Sequence, residues 1–177
     1  MTFKKGLRAL FYCLQKDVNS SSMTPAINLL NKQKISHTVH AYEHDPNHGA
    51  YGLEAAEKLG FNPEKVFKTL IIELDASKLA CVIIPVAESL NLKSAAKALG
   101  AKKASMAKVE DAERSTGYIK GGVSPFGQKK RLPTIVDASA EHLETLLVSG
   151  GRRGLDIEVR TEDLLKILRA KLIKVRA

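Results

Sequence analysis

The sequence predicts one mixed α/β domain with a curved or partial-barrel central sheet flanked by helices, spanning residues 23–177 behind an N-terminal extension, residues 1–22. Three observations carry that expectation. The β-rich runs VFKTLIIEL (66–74) and LACVIIPV (79–86) are separated by a short DASK link, the pattern of an antiparallel hairpin at the centre of a sheet. Further strand-like runs alternate with capped helical stretches without a strict strand-helix-strand order, which favours a mixed sheet over a parallel one. With 177 residues, 44% of them hydrophobic and 27% charged, the chain can bury one sizeable core without staples.

Taken in order, MTFKKGLRALFYCLQKDVNSSS opens with basic residues and an apolar run. That run, ALFYCL, is too short for the core of a signal peptide, and no A-x-A-like site follows. Nowhere does the chain approach the roughly 18 apolar residues of a membrane span, so a cytoplasmic protein is expected. Thr24 reads as an N-cap with Pro25 at the first helical position, and Ile27, Leu29 and Leu30 give the apolar face of a helix over 24–34. HTVHAY (37–42) alternates as a strand, EHDPNHG is a polar loop, and LEAAEKL is a short helix stopped by Gly60. After the hairpin, Asn91 caps LKSAAKAL, Gly100 ends it, and VEDAERS (109–115) is helical. LPTIVDA, TLLVSGG and LDIEVR read as three short strands, with SAEHLE a helical turn after the first. TEDLLKILRA is a closing helix with Thr161 as cap and Glu162 and Asp163 in the first turn, where the helix dipole favours them.

A net charge of +9 and a pI near 9.6 favour a polyanionic partner, because each Lys or Arg set against a phosphate releases a counterion. Two cysteines make no disulfide framework, and Cys81 inside LACVIIPV reads as a small hydrophobe. His37, His40, His44 and His48 have metal-like spacing, but Pro46 and Gly49 interrupt any helix and strand alternation puts His37 and His40 on opposite faces; no metal site is expected.

STGYIKGGVSPFGQKKR (115–131), rich in glycine and basic residues, reads as a surface loop rather than core. From Gly122 it nearly matches a phosphate-binding G-x-x-x-x-G-K-[ST] loop, yet Gln128 stands where the lysine belongs and a strand follows where a helix is needed. Gly121-Gly122 and the SGGRRGLD turn (149–156) could instead bring backbone N–H groups close to a ligand, or simply be tight turns. Lys129, Lys130 and Arg131, with Arg152 and Arg153, place positive charge beside both, where a phosphate backbone could run. Alternation through VFKTLII sets Lys68 on the same face as Val66, Leu70 and Ile72. Such a lysine either reaches water at an edge or faces a ligand, since burying an ammonium unpaired costs several kcal/mol.

MTPAINLL (23–30), YEHDP (42–46), FKTL (67–70), STGYIKGGVSPFGQKKR and SGGRRGLDIEV (149–159) together resemble the YbaK family of Cys-tRNA(Pro) deacylases, relatives of the editing domain of prolyl-tRNA synthetase. The resemblance runs from Met23 to about Arg169. It implies a cofactor-free trans-editing enzyme that clears cysteine from tRNA(Pro), and from tRNA(Cys), by attack of the attached cysteine's thiol on its own ester. It implies Tyr42, Lys68, Gly121, Ser149 and Asp156 as the matching site positions, with the terminal phosphate or ribose on Lys68. The ester oxygen would face the amides of Gly121 and Gly122, and the ribose or α-amino group would meet Tyr42 and Asp156, with Ser149 as a further contact. Prolyl-tRNA synthetase is the implied transient partner. Removal of alanine or serine, and a non-catalytic tRNA-binding or synthetase-adaptor module, remain the alternatives.

Overall fold

The structure is a computed structural model that describes residues 23–75 and 77–177; the N-terminal extension lies outside the described residues. Thr24 starts the first helix, α1 (Pro25–Lys32), as expected: its hydroxyl accepts from the Ile27 N–H at 3.3 Å and donates to the Gly150 carbonyl. The helix is thereby tied at its origin to the glycine turn 126 residues downstream, while Ala26, Ile27 and Leu30 face the core.

Two sheets share the core. In the first, β1 (His37–Ala41) and β6 (Thr145–Arg152) flank β7 (Leu155–Arg160), all antiparallel. In the second, the order is β4 (Ala104–Met106), β2 (Phe67–Leu74), β3 (Lys78–Pro85), β5 (Thr134–Asp137) and β8 (Lys171–Ile173). β2 and β3 form the expected antiparallel hairpin, whereas β5 joins β3 and β8 joins β5 in parallel. A single bridge, Val66 to Leu147, links the two sheets, so the layer bends without closing into a barrel. Phe67 and Ile71 of β2, Ile83 of β3 and Leu146, Val148, Ile157 and Val159 fill the space between them. The opposite face of β2, through Leu70 and Ile72, packs with Ala95 of α3 (Leu92–Ala98). Burial of these aliphatic side chains, each about 1.5–3 kcal/mol, supplies the main driving force.

Three expectations are corrected. β4 and β8, three residues each, carry too little pattern to be read and exist because β2 and β5 offer unpaired edges. Thr161 is the first residue inside α5 (Thr161–Leu168), with Arg160 at the cap position; its hydroxyl donates instead to the Leu143 carbonyl. The 115–131 stretch is anchored in the core rather than lying on the surface: Ser115, Thr116, Tyr118, Ser124 and Phe126 are buried, while Gly117, Ile119, Lys120 and Lys129–Arg131 stay exposed; the Tyr118 hydroxyl donates to the Phe126 carbonyl at 2.6 Å, and the Gln128 amide donates to the Ser124 carbonyl at 3.0 Å. Two aromatic anchors and loop-internal hydrogen bonds satisfy a backbone that composition alone would leave to solvent.

Asp137, fully buried at the end of β5, fastens the chain's last residues. Its carboxylate accepts from the Ser139, Val175 and Arg176 N–H groups at 3.0, 2.9 and 3.2 Å. Burial pushes its pKa up, but these donors outweigh it and hold the group below the usual carboxylate range. Asp137→Ala strands the buried Val175 amide and unties the partly buried Ser139 and Arg176 amides, and is expected to destabilise the fold by about 2–4 kcal/mol, read by urea unfolding.

Candidate functional site

β4 pairs only with Ile72–Leu74 of β2, so the Phe67–Leu70 stretch has β3 on one side and no strand on the other. A cavity of about 360 Å³ opens along that free edge. α2 (Tyr51–Leu59), α4 (Val109–Thr116), the 120–123 loop and the β6–β7 turn close it.

Five sequence-predicted positions, Tyr42, Lys68, Gly121, Ser149 and Asp156, line this one cavity together with Arg152. Lys68 is half-buried, and its ammonium donates to the Val86 carbonyl at 3.2 Å. Desolvation lowers its pKa and the Glu88 carboxylate opposes that shift. Val86 is itself fixed, its N–H on the Val66 carbonyl and its side chain against Gly52 of α2, where a Cβ would come within 2.4 Å of it. The lysine is therefore aimed into the cavity from a rigid strand.

Asp156 lies opposite Ser149 in the β6–β7 register and opposite His40 across β1. Only 6% exposed, it has no hydrogen-bond partner for Oδ2 among the described residues, and burial alone pushes its pKa up to about 7. Tyr42 is raised to about 12 by burial and then by the nearby Asp156 and Glu54 carboxylates, so its phenol remains a neutral donor. The Ser149 hydroxyl accepts the Gly151 N–H at 3.2 Å, inside the bulge that shifts the β6 register between Ser149 and Arg152.

Gly121 adopts φ +85° and lines the cavity, and no partner for its N–H is found among the described residues. Gly122 behaves differently from the expectation. It is buried, its N–H donates to the Ile119 carbonyl at 2.9 Å, and a Cβ there would stand 2.8 Å from the Arg152 Cα. With that donor already engaged, Gly122 serves close backbone packing and cannot also face a ligand oxygen.

The basic residues divide. Arg152 reaches the cavity, and Arg153 lies over the Tyr51 ring with its guanidinium donating to the Lys120 carbonyl. Lys129, Lys130 and Arg131 are exposed away from the cavity lining. The N–H groups of Lys129 and Lys130 pair with Thr116 and Ser115 at the end of α4, and Arg131 donates to the Ile167 carbonyl of α5.

Sequence reasoning missed Tyr51, Lys120 and Thr69, whose hydroxyl is buried beside Lys68 with no partner among the described residues. It also missed Glu54, a fully buried carboxylate that accepts from the Asp45 N–H at 2.6 Å, His44 at 2.7 Å and Lys58 at 3.3 Å. Burial raises its pKa, but those donors prevail and hold it low, fixing the 42–46 segment that carries Tyr42. A Glu at the start of an amphipathic helix, next to two histidines in the preceding loop, was the available signal. The four histidines go to separate partners: His37 to the Ile35 carbonyl, His40 to Glu158, His44 to Glu54 and His48 toward Glu57.

Residues 48–167 match the family model for the aminoacyl-tRNA editing domain. The chain belongs to that family. An editing-domain relative from Enterococcus faecalis (strain ATCC 700802 / V583), named "Putative Cys-tRNA(Pro)/Cys-tRNA(Cys) deacylase EbsC", is 32% identical over 152 residues, 86% of this chain and 92% of the relative. A segment of the Proline--tRNA ligase of Shouchella clausii (strain KSM-K16) is 32% identical over 101 residues, 57% of this chain and 18% of the ligase. In fold, the editing domain superposes with a TM-score of 0.76 on "a putative trans-editing enzyme for prolyl tRNA synthetase", at 18% identity and covering 91% of this chain and 99% of the other. It superposes with a TM-score of 0.78 on "hypothetical protein APE2540", at 22% identity and covering 87% and 100%. Among the described residues no helix is long and apolar enough to cross a membrane.

Proposed function

We propose that this editing domain is a trans-acting deacylase that removes cysteine from Cys-tRNA(Pro), and from Cys-tRNA(Cys), by a lyase-type cyclisation rather than hydrolysis. The observation that carries the reading is the composition of one cavity. It unites Lys68, Tyr42, Asp156 and the open amide of Gly121, yet among the described residues its lining holds neither cysteine nor histidine. Cys81 is buried elsewhere in the core, and burial pushes its thiol up to about 12, which leaves it inert.

A site without an activated protein nucleophile suits a substrate that brings its own. The thiol sulfur of the attached cysteine bonds to its ester carbonyl carbon, the carbon–oxygen bond to the terminal ribose breaks, and the thiol proton ends on the ribose oxygen. Cysteine thiolactone and free tRNA are the products. Such an intramolecular attack gains mainly from orientation, worth up to roughly 7–11 kcal/mol. In this scheme Lys68 holds the terminal phosphate or ribose, and the Gly121 N–H faces the ester oxygen as charge develops there. Asp156 receives the α-ammonium, with Tyr42 and Ser149 beside it. Proline and cysteine are too similar in size for one synthetic pocket to separate by more than about 1–3 kcal/mol, so a second site has a task to perform.

The likeness to a segment of a proline–tRNA ligase supports a transient complex with prolyl-tRNA synthetase as the source of tRNA(Pro) selection. Deacylation of Cys-, Ala- and Ser-tRNA(Pro), each with and without the synthetase, tests both parts. Cysteine is expected to leave at least about 100-fold faster than serine, which matches it in shape but lacks the thiol, and the synthetase is expected to sharpen tRNA(Pro) preference. Equal loss of serine or alanine would replace the cyclisation by hydrolytic editing, and binding without ester loss would leave an RNA-binding module.

A further inference from the structure

We propose that Tyr51 and Arg153 form a stacking platform for the terminal nucleobase of the RNA, a proposal that rests on reading the cavity as the seat of the aminoacylated 3′ end. The Arg153 guanidinium lies 4.8 Å from the Tyr51 ring centroid. Its Nε and Nη2 both donate to the Lys120 carbonyl, at 3.1 and 2.8 Å. Those two N–H groups form the fork with which an arginine grips a phosphate in bidentate fashion. In this protein a backbone carbonyl already fills that side-on fork, which leaves Arg153 only the outer end of its guanidinium for the backbone contact that its charge suggests.

What Arg153 offers instead is a plane. Its guanidinium carbon lies over the Tyr51 ring, its Nε and Nη2 are pinned, and the residue is otherwise exposed. The glycine loop holds this pair together: a Cβ on Gly121 would stand 2.9 Å from the Tyr51 ring and 3.0 Å from the Arg153 Nε. Tyr51 and Gly121 also line the cavity, so the platform stands at the rim of the space assigned to the ester. Proteins that take single-stranded RNA ends stack the bases on aromatic rings and guanidinium planes. A guanidinium fixed by two hydrogen bonds and a ring has little rotamer freedom left to lose on binding. Lys120 and Arg152, which line the same cavity, remain for the phosphates.

The test is the Kd of an uncharged RNA hairpin ending in the single-stranded 3′ end of tRNA(Pro), measured over a range of salt concentrations for the wild-type protein, Arg153→Lys and Arg153→Ala. A second hairpin is identical but abasic at its last nucleotide. Stacking predicts that both substitutions weaken binding about tenfold while the slope of log Kd against log salt stays that of the wild type. The abasic end should weaken wild-type binding by a similar factor and add nothing in Arg153→Ala. Wild-type affinity in Arg153→Lys, a slope reduced by about 1 in Arg153→Ala, or indifference to the abasic end would overturn the platform. Cys-tRNA(Pro) deacylation by the wild-type protein is measured alongside. Its absence with the stacking signature intact would refute the enzymatic reading and leave the platform standing.

Discussion

Replacing Lys68 by alanine is expected to lower Cys-tRNA(Pro) deacylation by about 100-fold or more, the scale of losing one preorganised donor to a developing or fixed charge. The fold should survive. Lys68 is half-buried, donates only to the Val86 carbonyl, and belongs to none of the three hydrophobic clusters. Deleting it relieves a desolvated ammonium and leaves Val86 still bonded through its N–H to Val66. Lys68→Arg is expected to restore little, because a guanidinium is larger and directs its donors in a planar fork rather than from one point. Single-turnover deacylation with a circular dichroism spectrum of each variant makes the measurement. Unchanged deacylation in Lys68→Ala would remove the residue from the site.

Asp156→Asn should separate function from stability in opposite directions. Asp156 has a pKa of about 7 in the folded protein against 3.8 when free. Between those values the native state retains a proton that the unfolded chain has released. Folding stability from this group is therefore highest at low pH, declines as pH rises from about 4 to about 7, and is level above that. Integrated, the loss is on the order of 4 kcal/mol. The neutral amide abolishes that decline. Asp156→Asn is expected to be more stable than the wild type at pH 8, with the advantage shrinking to about 1 kcal/mol at pH 4.5, while losing deacylation because an amide cannot form an ion pair with the α-ammonium. Urea unfolding at the two pH values gives the first half. Glu54, Asp137 and Glu158, all held low by hydrogen bonds that outweigh burial, act in the opposite sense, so the informative quantity is the difference between variant and wild type. A stability that depends on pH identically in both proteins would contradict the buried-carboxylate assignment. A buried carboxylate whose Oδ2 has no hydrogen-bond partner among the described residues is also one that an incoming ammonium would stabilise, so the same residue suits the proposed substrate.

Much of the architecture was legible because it rests on local signals. The Thr24-Pro25 start, the VFKTLIIEL–LACVIIPV hairpin and the Gly60 stop each reflect a single physical rule acting over a few residues. The site was legible in a different way. Tyr42, Lys68, Gly121, Ser149 and Asp156 are far apart in the chain, and only the family motifs grouped them before the fold brought them to one cavity. What could not be read depended on distant partners. β4 and β8 are strands only because β2 and β5 present edges to them. The burial of Tyr118 and Phe126 depends on contacts outside their own segment, and the engagement of the Gly122 N–H depends on the turn from Ile119. Composition misjudged the 115–131 stretch for the same reason: lysine content describes its solvent-facing residues, Gly122 and Gly127 allow close backbone packing rather than exposure, and two aromatics decide where it sits.

The central claim is that the attached cysteine performs the attack while the protein positions it. Its most direct test is product analysis by mass spectrometry in a single turnover of Cys-tRNA(Pro), with immediate trapping of the released amino acid. Cysteine thiolactone as the first product, formed by the wild-type protein and lost in Lys68→Ala, is the predicted result. Free cysteine appearing with no thiolactone at the earliest times would contradict it and make the cavity a hydrolytic site.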